Sequence, residues 1–170
     1  DGAANQGQVY ESYNIASLWQ LPVIFVIENN KYGMGTSVNR SSAGDNLSDR
    51  GKAYGIKSEI VDGMDIIAVR EAAIKAIEYC RLGKGPYILE MKTYRYRGHS
   101  MSDPAKYRTR DEVEQIRKTS DPIENIKVLL NKMGVVDKVL KDIDVEIKSI
   151  IADAAKFAQE SPEPSPSELY

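Results

Sequence analysis

Apolar side chains recur at Val9, Tyr13, Ala16 and Trp19, a helical spacing that predicts a helix over residues 7–19. Leu21-Pro22 stops it. The run Val23-Ile24-Phe25-Val26-Ile27 then has no polar position, which marks a strand covered on both faces, as at the centre of a parallel sheet. A Gly-containing loop occupies 31–35, and 56–61 is a weaker strand candidate. A long helix is predicted from about Asp65 to Leu82, with Val69, Ala72, Ala73, Ala76, Ile77 and Cys80 as its buried stripe and Gly83 as its stop. Tyr87-Ile88-Leu89-Glu90-Met91 reads as a third strand. Helix and strand thus alternate to about residue 93, predicting an α/β fold with a parallel sheet and helices on both faces.

The pattern changes after that point. Residues 94–110 have no apolar period, and from Asp111 the spacing is helical again, with starts at Asp111 and Asp121-Pro122. Ile143, Ile147, Ile150, Ile151 and Ala154 share one helical face, and Pro162, Pro164 and Pro166 end the periodicity. The expected organisation is an α/β region over 1–110, whose last part is the loop 94–110, and a helical region with a proline-rich tail over 111–170.

Composition narrows the function classes. A net charge of −2 provides no global attraction to nucleic acid or an anionic membrane. Against that balance, loop 94–110 is locally basic: Arg95, Arg97, Lys106, Arg108 and Arg110 face the single acid Asp103. One cysteine cannot form an internal disulfide, and one Cys with one His cannot build a zinc site from several such ligands. No apolar run nears the roughly 20 residues of a membrane span, so a soluble intracellular protein is expected and the triplets Asn39-Arg40-Ser41 and Asn46-Leu47-Ser48 are chance glycosylation matches. Cys80 falls on the helix stripe, where a buried, inert thiol is expected rather than a reactive one.

Spacing raises one candidate site. Asp1 and Asn30 lie about one strand–helix–strand unit apart, so a strand ending just before Asp1 would bring both side chains to the same sheet edge. Paired Asp and Asn oxygens suit a hard cation such as Mg2+, which completes its octahedron with phosphate oxygens and water. Gly2 and Ala3, small residues ahead of the first helix, would let backbone N–H groups approach a phosphate. The plainer reading makes Asp1 and Asn5 turn and capping residues and Asn29-Asn30 a turn. Spacing alone leaves both readings open. Gly33-Met34-Gly35 lacks the third glycine of a dinucleotide motif.

Three motifs in order carry a resemblance across essentially the whole chain. Asp-Gly-Ala-Ala-Asn-Gln-Gly at 1–7, followed by Glu-Asn-Asn-Lys-Tyr-Gly-Met-Gly-Thr-Ser at 28–37, resembles the thiamin-diphosphate motif without its leading Gly. Tyr-Arg-Tyr-Arg-Gly-His-Ser-Met-Ser-Asp-Pro at 94–104 resembles the active-site loop of pyruvate dehydrogenase alpha subunits, members of the thiamin-diphosphate-dependent 2-oxoacid dehydrogenase family. The resemblance implies the thiamin-diphosphate-binding fold, with Mg2+ held by Asp1, Asn30 and the Tyr32 carbonyl, and the cofactor diphosphate against Gly2, Ala3 and His99. It also implies decarboxylation of pyruvate and passage of the acetyl unit to a lipoyl group of the dihydrolipoyl acyltransferase. A beta subunit, in an alpha2-beta2 assembly, would supply the aminopyrimidine pocket and its activating glutamate, so no acid of this chain is assigned as general base.

His99 reads by itself as a surface imidazole; among Arg95, Arg97 and Arg108 it reads equally as a donor to an anion, and the resemblance makes it the catalytic-loop histidine. Ser100 and Ser37 match regulatory phosphorylation positions of animal members. A third such position is lost at Ala105-Lys106-Tyr107, where the chain is one residue shorter, which favours a bacterial, cytoplasmic enzyme over a mitochondrial-matrix one and an unmodified Ser100 hydroxyl. Branched-chain 2-oxoacid or acetoin dehydrogenase is the alternative within this chemistry. A non-catalytic interaction module, built on the charged helices of 111–160, is the alternative outside it. With no strand before Asp1, the chain is expected to be the C-terminal half of a longer subunit and inactive when expressed alone.

Overall fold

The computed structural model of this chain describes residues 1–44 and 46–169; Asp45 and Tyr170, the last residue of the expected helical region, lie outside it. Three parallel strands form the main sheet: β1 (Ile24–Asn29), β4 (Lys57–Asp62) and β5 (Tyr87–Lys92), in the order β1-β5-β4. Tyr87 is in register with both Ile24 and Lys57, and Lys92 with both Asn29 and Asp62. A two-residue-per-strand hairpin, β2 (Tyr32–Gly33) and β3 (Thr36–Ser37), follows β1 directly. The sequence reading placed the 23–27 run at the centre of the sheet. Among the described residues the centre is β5, and Val26 of β1 is 57% exposed.

Period-two alternation along β5 sorts the two faces. Tyr87, Leu89 and Met91 point to α3 (Ile66–Arg81) and bury Ala72, Ala76 and Cys80 with Val61. Ile88 points the other way, into a cluster of Ala4, Tyr13, Ile27, Leu47 and Ile56 under α1 (Gly7–Leu18) and the 3-10 segment Leu47–Tyr54. The fold is therefore an α/β sheet with helices on both faces, as expected. Asp65 caps α3 by accepting the N–H groups of Ile67 (2.8 Å) and Ala68 (3.1 Å), and Gly83, at φ +70°, follows its end. The buried stripe is narrower than its hydrophobicity predicts, since Ile77 is 38% exposed while Ala72, Ala76 and Cys80, each one turn apart, line the contact. Burial pushes the Cys80 thiol pKa up, in keeping with an inert core thiol.

Residues 94–109 contain no helix or strand. Contacts divide the chain into two units, Asp1–Asn125 and Ile126–Tyr170. The first ends with α4 (Arg110–Ser120), capped by Thr109 through the Glu112 N–H, and the start of α5 (Pro122–Lys132). The second carries the rest of α5 and the long α6 (Asp137–Glu160), which holds the predicted face of Ile143, Ile147, Ile150 and Ile151. The short α2 (Val38–Ser41) and the 3-10 segment had no periodic signal in the sequence.

Tyr87 anchors the start of the central strand. It is fully buried, and its hydroxyl donates to Glu59 Oε2 at 2.9 Å while Lys75 pairs with the same oxygen at 2.7 Å. Burial first, and the Glu59 carboxylate second, push the phenol up to about 12. A raised folded-state pKa means that this contribution to stability is intact below about pH 10 and is lost as pH climbs toward 12, at a limiting slope of about 1.4 kcal/mol per pH unit. Urea unfolding across that window should show a shallower decline for Tyr87→Phe than for the parent. Parallel declines would remove Tyr87 from the account.

Candidate functional site

The site forms where β1 ends. Its last residue is Asn29, and the chain leaves the sheet edge at Asn30, as parallel strands do when they present ligands beyond their carboxyl ends. Asp1 lies alongside: its backbone nitrogen donates to the Glu28 carbonyl at 3.1 Å, and its Oδ1 accepts the Asn30 N–H at 3.2 Å. Asn30 Oδ1 in turn accepts the Tyr32 N–H at 3.4 Å. The Asp1 carboxylate thus meets the Asn30 backbone, 29 residues away in sequence, at the same sheet edge.

Between Asp1 and α1 the chain makes two tight turns, with the Ala4 N–H donating to the Asp1 carbonyl at 3.2 Å and the Gln6 N–H to the Ala3 carbonyl at 3.1 Å. The N-cap position, Gln6, contributes no side-chain hydrogen bond, so the first-turn N–H groups of α1 are not capped from within. Gly2 packs directly on Gly33: a Cβ on Gly33 would come within 2.9 Å of Gly2 Cα, and one on Gly2 within 3.0 Å of Gly33 Cα. Only two facing glycines allow the 1–6 turns and the hairpin to touch backbone to backbone.

A cavity of about 810 Å3 opens over this junction. Asp1, Gly2, Ala3, Asn30, Tyr32, Arg95 and His99 all line it, so every residue singled out for cofactor or metal binding meets at one place. Arg95 Nη1 is shielded from solvent and has no hydrogen-bond partner among the described residues. An arginine in the cavity lining, with one guanidinium nitrogen left without an acceptor, suits an anionic group. The Asp1 and Asn30 side-chain oxygens, with the Tyr32 carbonyl, could hold a hard cation. No group of three or more His, Cys, Asp or Glu suited to a metal occurs among the described residues, so a cation there must draw further oxygens from elsewhere, as Mg2+ does from phosphates.

The basic loop separates into distinct parts. Arg108 is a brace, its guanidinium donating to the carbonyls of Arg95 and Arg97 and lying over the rings of Tyr94 (5.3 Å) and Tyr107 (5.6 Å). Arg97 is exposed and outside the cavity lining, whereas Arg95 is part of it. His99 is held through its backbone: its N–H donates to Asp103 Oδ2 at 2.7 Å, and the same carboxylate accepts the Ala105 N–H (2.8 Å) and the Tyr107 hydroxyl (2.9 Å). These donors hold the Asp103 carboxyl below its ordinary range, led by the His99 and Ala105 N–H groups. Ser100 is exposed, its hydroxyl 3.0 Å from that of Ser102. Ser37 lies in β3 opposite Tyr32, with its carbonyl accepting the Ser41 hydroxyl at 3.2 Å.

Sequence reading missed Glu90 and Asn29. Glu90 is fully buried in the central strand, with Oε1 accepting from the Asn29 amide (2.8 Å) and pairing with Lys92 (2.6 Å), and Oε2 accepting the Ser48 N–H (2.8 Å). Burial acts to raise its pKa, but Lys92, Asn29 and Ser48 outweigh it, and the carboxyl lies below its ordinary range. The signal was present: a single acid inside Tyr87-Ile88-Leu89-Glu90-Met91 demands a partner if the strand is buried.

The chain matches the dehydrogenase E1 component family over residues 1–167. It is 61% identical to the alpha subunit of the pyruvate dehydrogenase E1 component of Rhizobium meliloti over 171 residues, covering all of this chain and 49% of that protein. Against the corresponding subunit of Zymomonas mobilis it is 55% identical, covering all of the chain and 48% of the relative. Against the mitochondrial somatic form of Homo sapiens it is 54% identical, covering 99% and 43%. The chain spans about half the length of the curated relatives it matches. Fold, motif order and these similarities agree: the chain belongs to the dehydrogenase E1 component family.

Proposed function

We propose that this chain is the cofactor-binding part of a pyruvate dehydrogenase alpha subunit, holding Mg2+ and thiamin diphosphate for oxidative decarboxylation of pyruvate. The observation that carries the reading is the Asp1–Asn30 pair, joined by a 3.2 Å hydrogen bond, at the mouth of a cavity also lined by Gly2, Ala3, Arg95 and His99. Asp1, Asn30 and the Tyr32 carbonyl hold the metal. The backbone of Gly2 and Ala3 and the Arg95 guanidinium receive the diphosphate. When bound, thiamin diphosphate supplies the electron sink for decarboxylation.

His99, on a loop pinned by Asp103, donates a hydrogen bond to the diphosphate and stands beside the path of the lipoyl group. No acid of this chain serves as general base; the beta subunit of an alpha2-beta2 assembly supplies the activating glutamate, and the acetyl unit passes to the lipoyl domain of the dihydrolipoyl acyltransferase. A phosphate on Ser100, which follows His99, would add about −1.5 to −2 charges beside the bound diphosphate and weaken its binding; Ser37 is the second proposed regulatory position. The bacterial cytoplasm is the proposed compartment, the mitochondrial matrix the alternative; no helix among the described residues is long and apolar enough to cross a membrane.

The test is turnover by the full-length alpha–beta assembly with its acyltransferase over pyruvate, branched-chain 2-oxoacids and acetoin. Pyruvate is expected to have the highest kcat/KM. If it ranks among the poorest substrates, the assignment to pyruvate fails and the branched-chain or acetoin reading replaces it.

A further inference from the structure

Glu90 has no place in the chemistry above, yet it is a fully buried carboxylate in the central strand, at the end of β5 nearest the site. A buried ion is costly unless every lone pair has a partner, and hydrophobic replacement at such a position is often neutral or stabilising. What the Glu90 partners hold is therefore informative. Oε1 accepts from the Asn29 amide at 2.8 Å, which turns the Asn29 Oδ1 outward to accept the Lys31 N–H at 3.2 Å. Lys31 is a non-glycine residue at φ +75°, between Asn30 and Tyr32. That left-handed conformation is unfavourable for a side-chain-bearing residue and persists where surrounding contacts hold it. The backbone N–H groups of Thr93 and Ser48 complete the frame: Thr93 donates to the Asn29 carbonyl at 2.9 Å, and Ser48 to Glu90 Oε2 at 2.8 Å. Ser48 lies in the first turn of the 3-10 segment that carries Arg50, whose Nη1 donates to the Ala4 carbonyl at 2.9 Å, inside the turns ahead of α1.

One buried carboxylate thus touches both arms of the site. Through Asn29 it reaches the Asn30–Tyr32 turn, and through Ser48 and Arg50 it reaches the turns at 1–6. We propose that Glu90 is a positioning residue that sets the geometry of the metal-side turn and the phosphate-side turn together, a role that rests on the cofactor reading above. Lys92, 2.6 Å from Oε1, supplies the compensating charge.

Glu90→Gln is the discriminating change, because it keeps the shape but replaces one acceptor oxygen with a donor NH2. Asn29 and Ser48 both donate, so either amide orientation opposes one arm with a donor. Titration of the full-length alpha–beta assembly with thiamin diphosphate and Mg2+, read by intrinsic fluorescence, should give a Kd raised by about 10- to 100-fold, the usual cost of losing an orienting partner of a metal site. At saturating cofactor, kcat should remain close to wild type. Asn29→Ala, which cuts only the metal-side arm, should raise the Mg2+ requirement, and the double variant should be little worse than Glu90→Gln alone. A lowered Tm with unchanged cofactor Kd would make Glu90 an ordinary core residue and overturn the proposal. If Glu90→Gln does not assemble, an unchanged Mg2+ requirement in Asn29→Ala overturns it equally. Failure of the wild-type assembly to bind thiamin diphosphate would remove the cofactor reading itself, and this inference with it.

Discussion

Asp1→Ala, and separately Asn30→Ala, should abolish Mg2+-dependent binding of thiamin diphosphate to the full-length assembly, with Kd rising roughly 100-fold or more, beyond the usual effect of losing a residue that only orients a ligand. Two readings of these residues compete, and magnitude separates them. If Asp1 merely closes a turn, alanine costs the single hydrogen bond to the Asn30 N–H, about 1 kcal/mol of stability, and leaves the cofactor Kd where it was. If its carboxylate holds a divalent ion, alanine removes a charged ligand of that ion. Asp1→Asn keeps the acceptor for the Asn30 N–H but lowers the charge, so it should fall between the two. Circular dichroism should be unchanged throughout, because neither side chain belongs to the buried clusters that join the sheet to its helices. Wild-type cofactor affinity in both alanine variants would end the metal-site assignment.

Gly33→Ala should have a comparable effect by a different route. The added methyl group would lie 2.9 Å from Gly2 Cα, a contact that backbone must relieve by moving, since no flexible side chain is there to yield. Overpacking of this kind costs about 1–3 kcal/mol, and it falls between the two turns proposed to receive the metal and the diphosphate. Each 1.4 kcal/mol transmitted to binding is about tenfold in Kd, so a weakening of about ten- to a hundredfold is expected. Gly7→Ala is the control. A Cβ there meets nothing within 4 Å, and alanine favours the helix that begins at this residue. Equal cofactor affinity in Gly33→Ala and Gly7→Ala would show that the Gly2–Gly33 contact has no bearing on the site.

Much of this was legible in residue order, for identifiable reasons. Helix α1 follows from the spacing of Val9, Tyr13 and Ala16, and α3 from its stripe, its Asp65 cap and its Gly83 stop. The pairing of Asp1 with Asn30 was legible because a strand–helix–strand unit has a nearly constant length. The rank of the strands was not. The 23–27 run is more apolar than 87–91, yet among the described residues β5 is the strand with neighbours on both sides, and local composition does not encode neighbours. Likewise Ile77 is more hydrophobic than Ala76 and yet more exposed, because the face of α3 that packs in the core carries Ala72, Ala76 and Cys80.

Sequence by itself determined the kinds of element, their order, and which side chains could carry cation and phosphate chemistry, since these depend on local periodicity and on functional groups. Only the tertiary structure decided how those groups are held. It made Arg108 a brace and left Arg95 lining the cavity, although both are arginines of one basic loop. It pressed Gly2 on Gly33 and bonded Glu90 to Asn29 and Ser48, across 61 and 42 residues of chain. Such roles arise from packing between distant segments, where desolvation and the need to satisfy every buried donor and acceptor act, and no local pattern records which segments will meet.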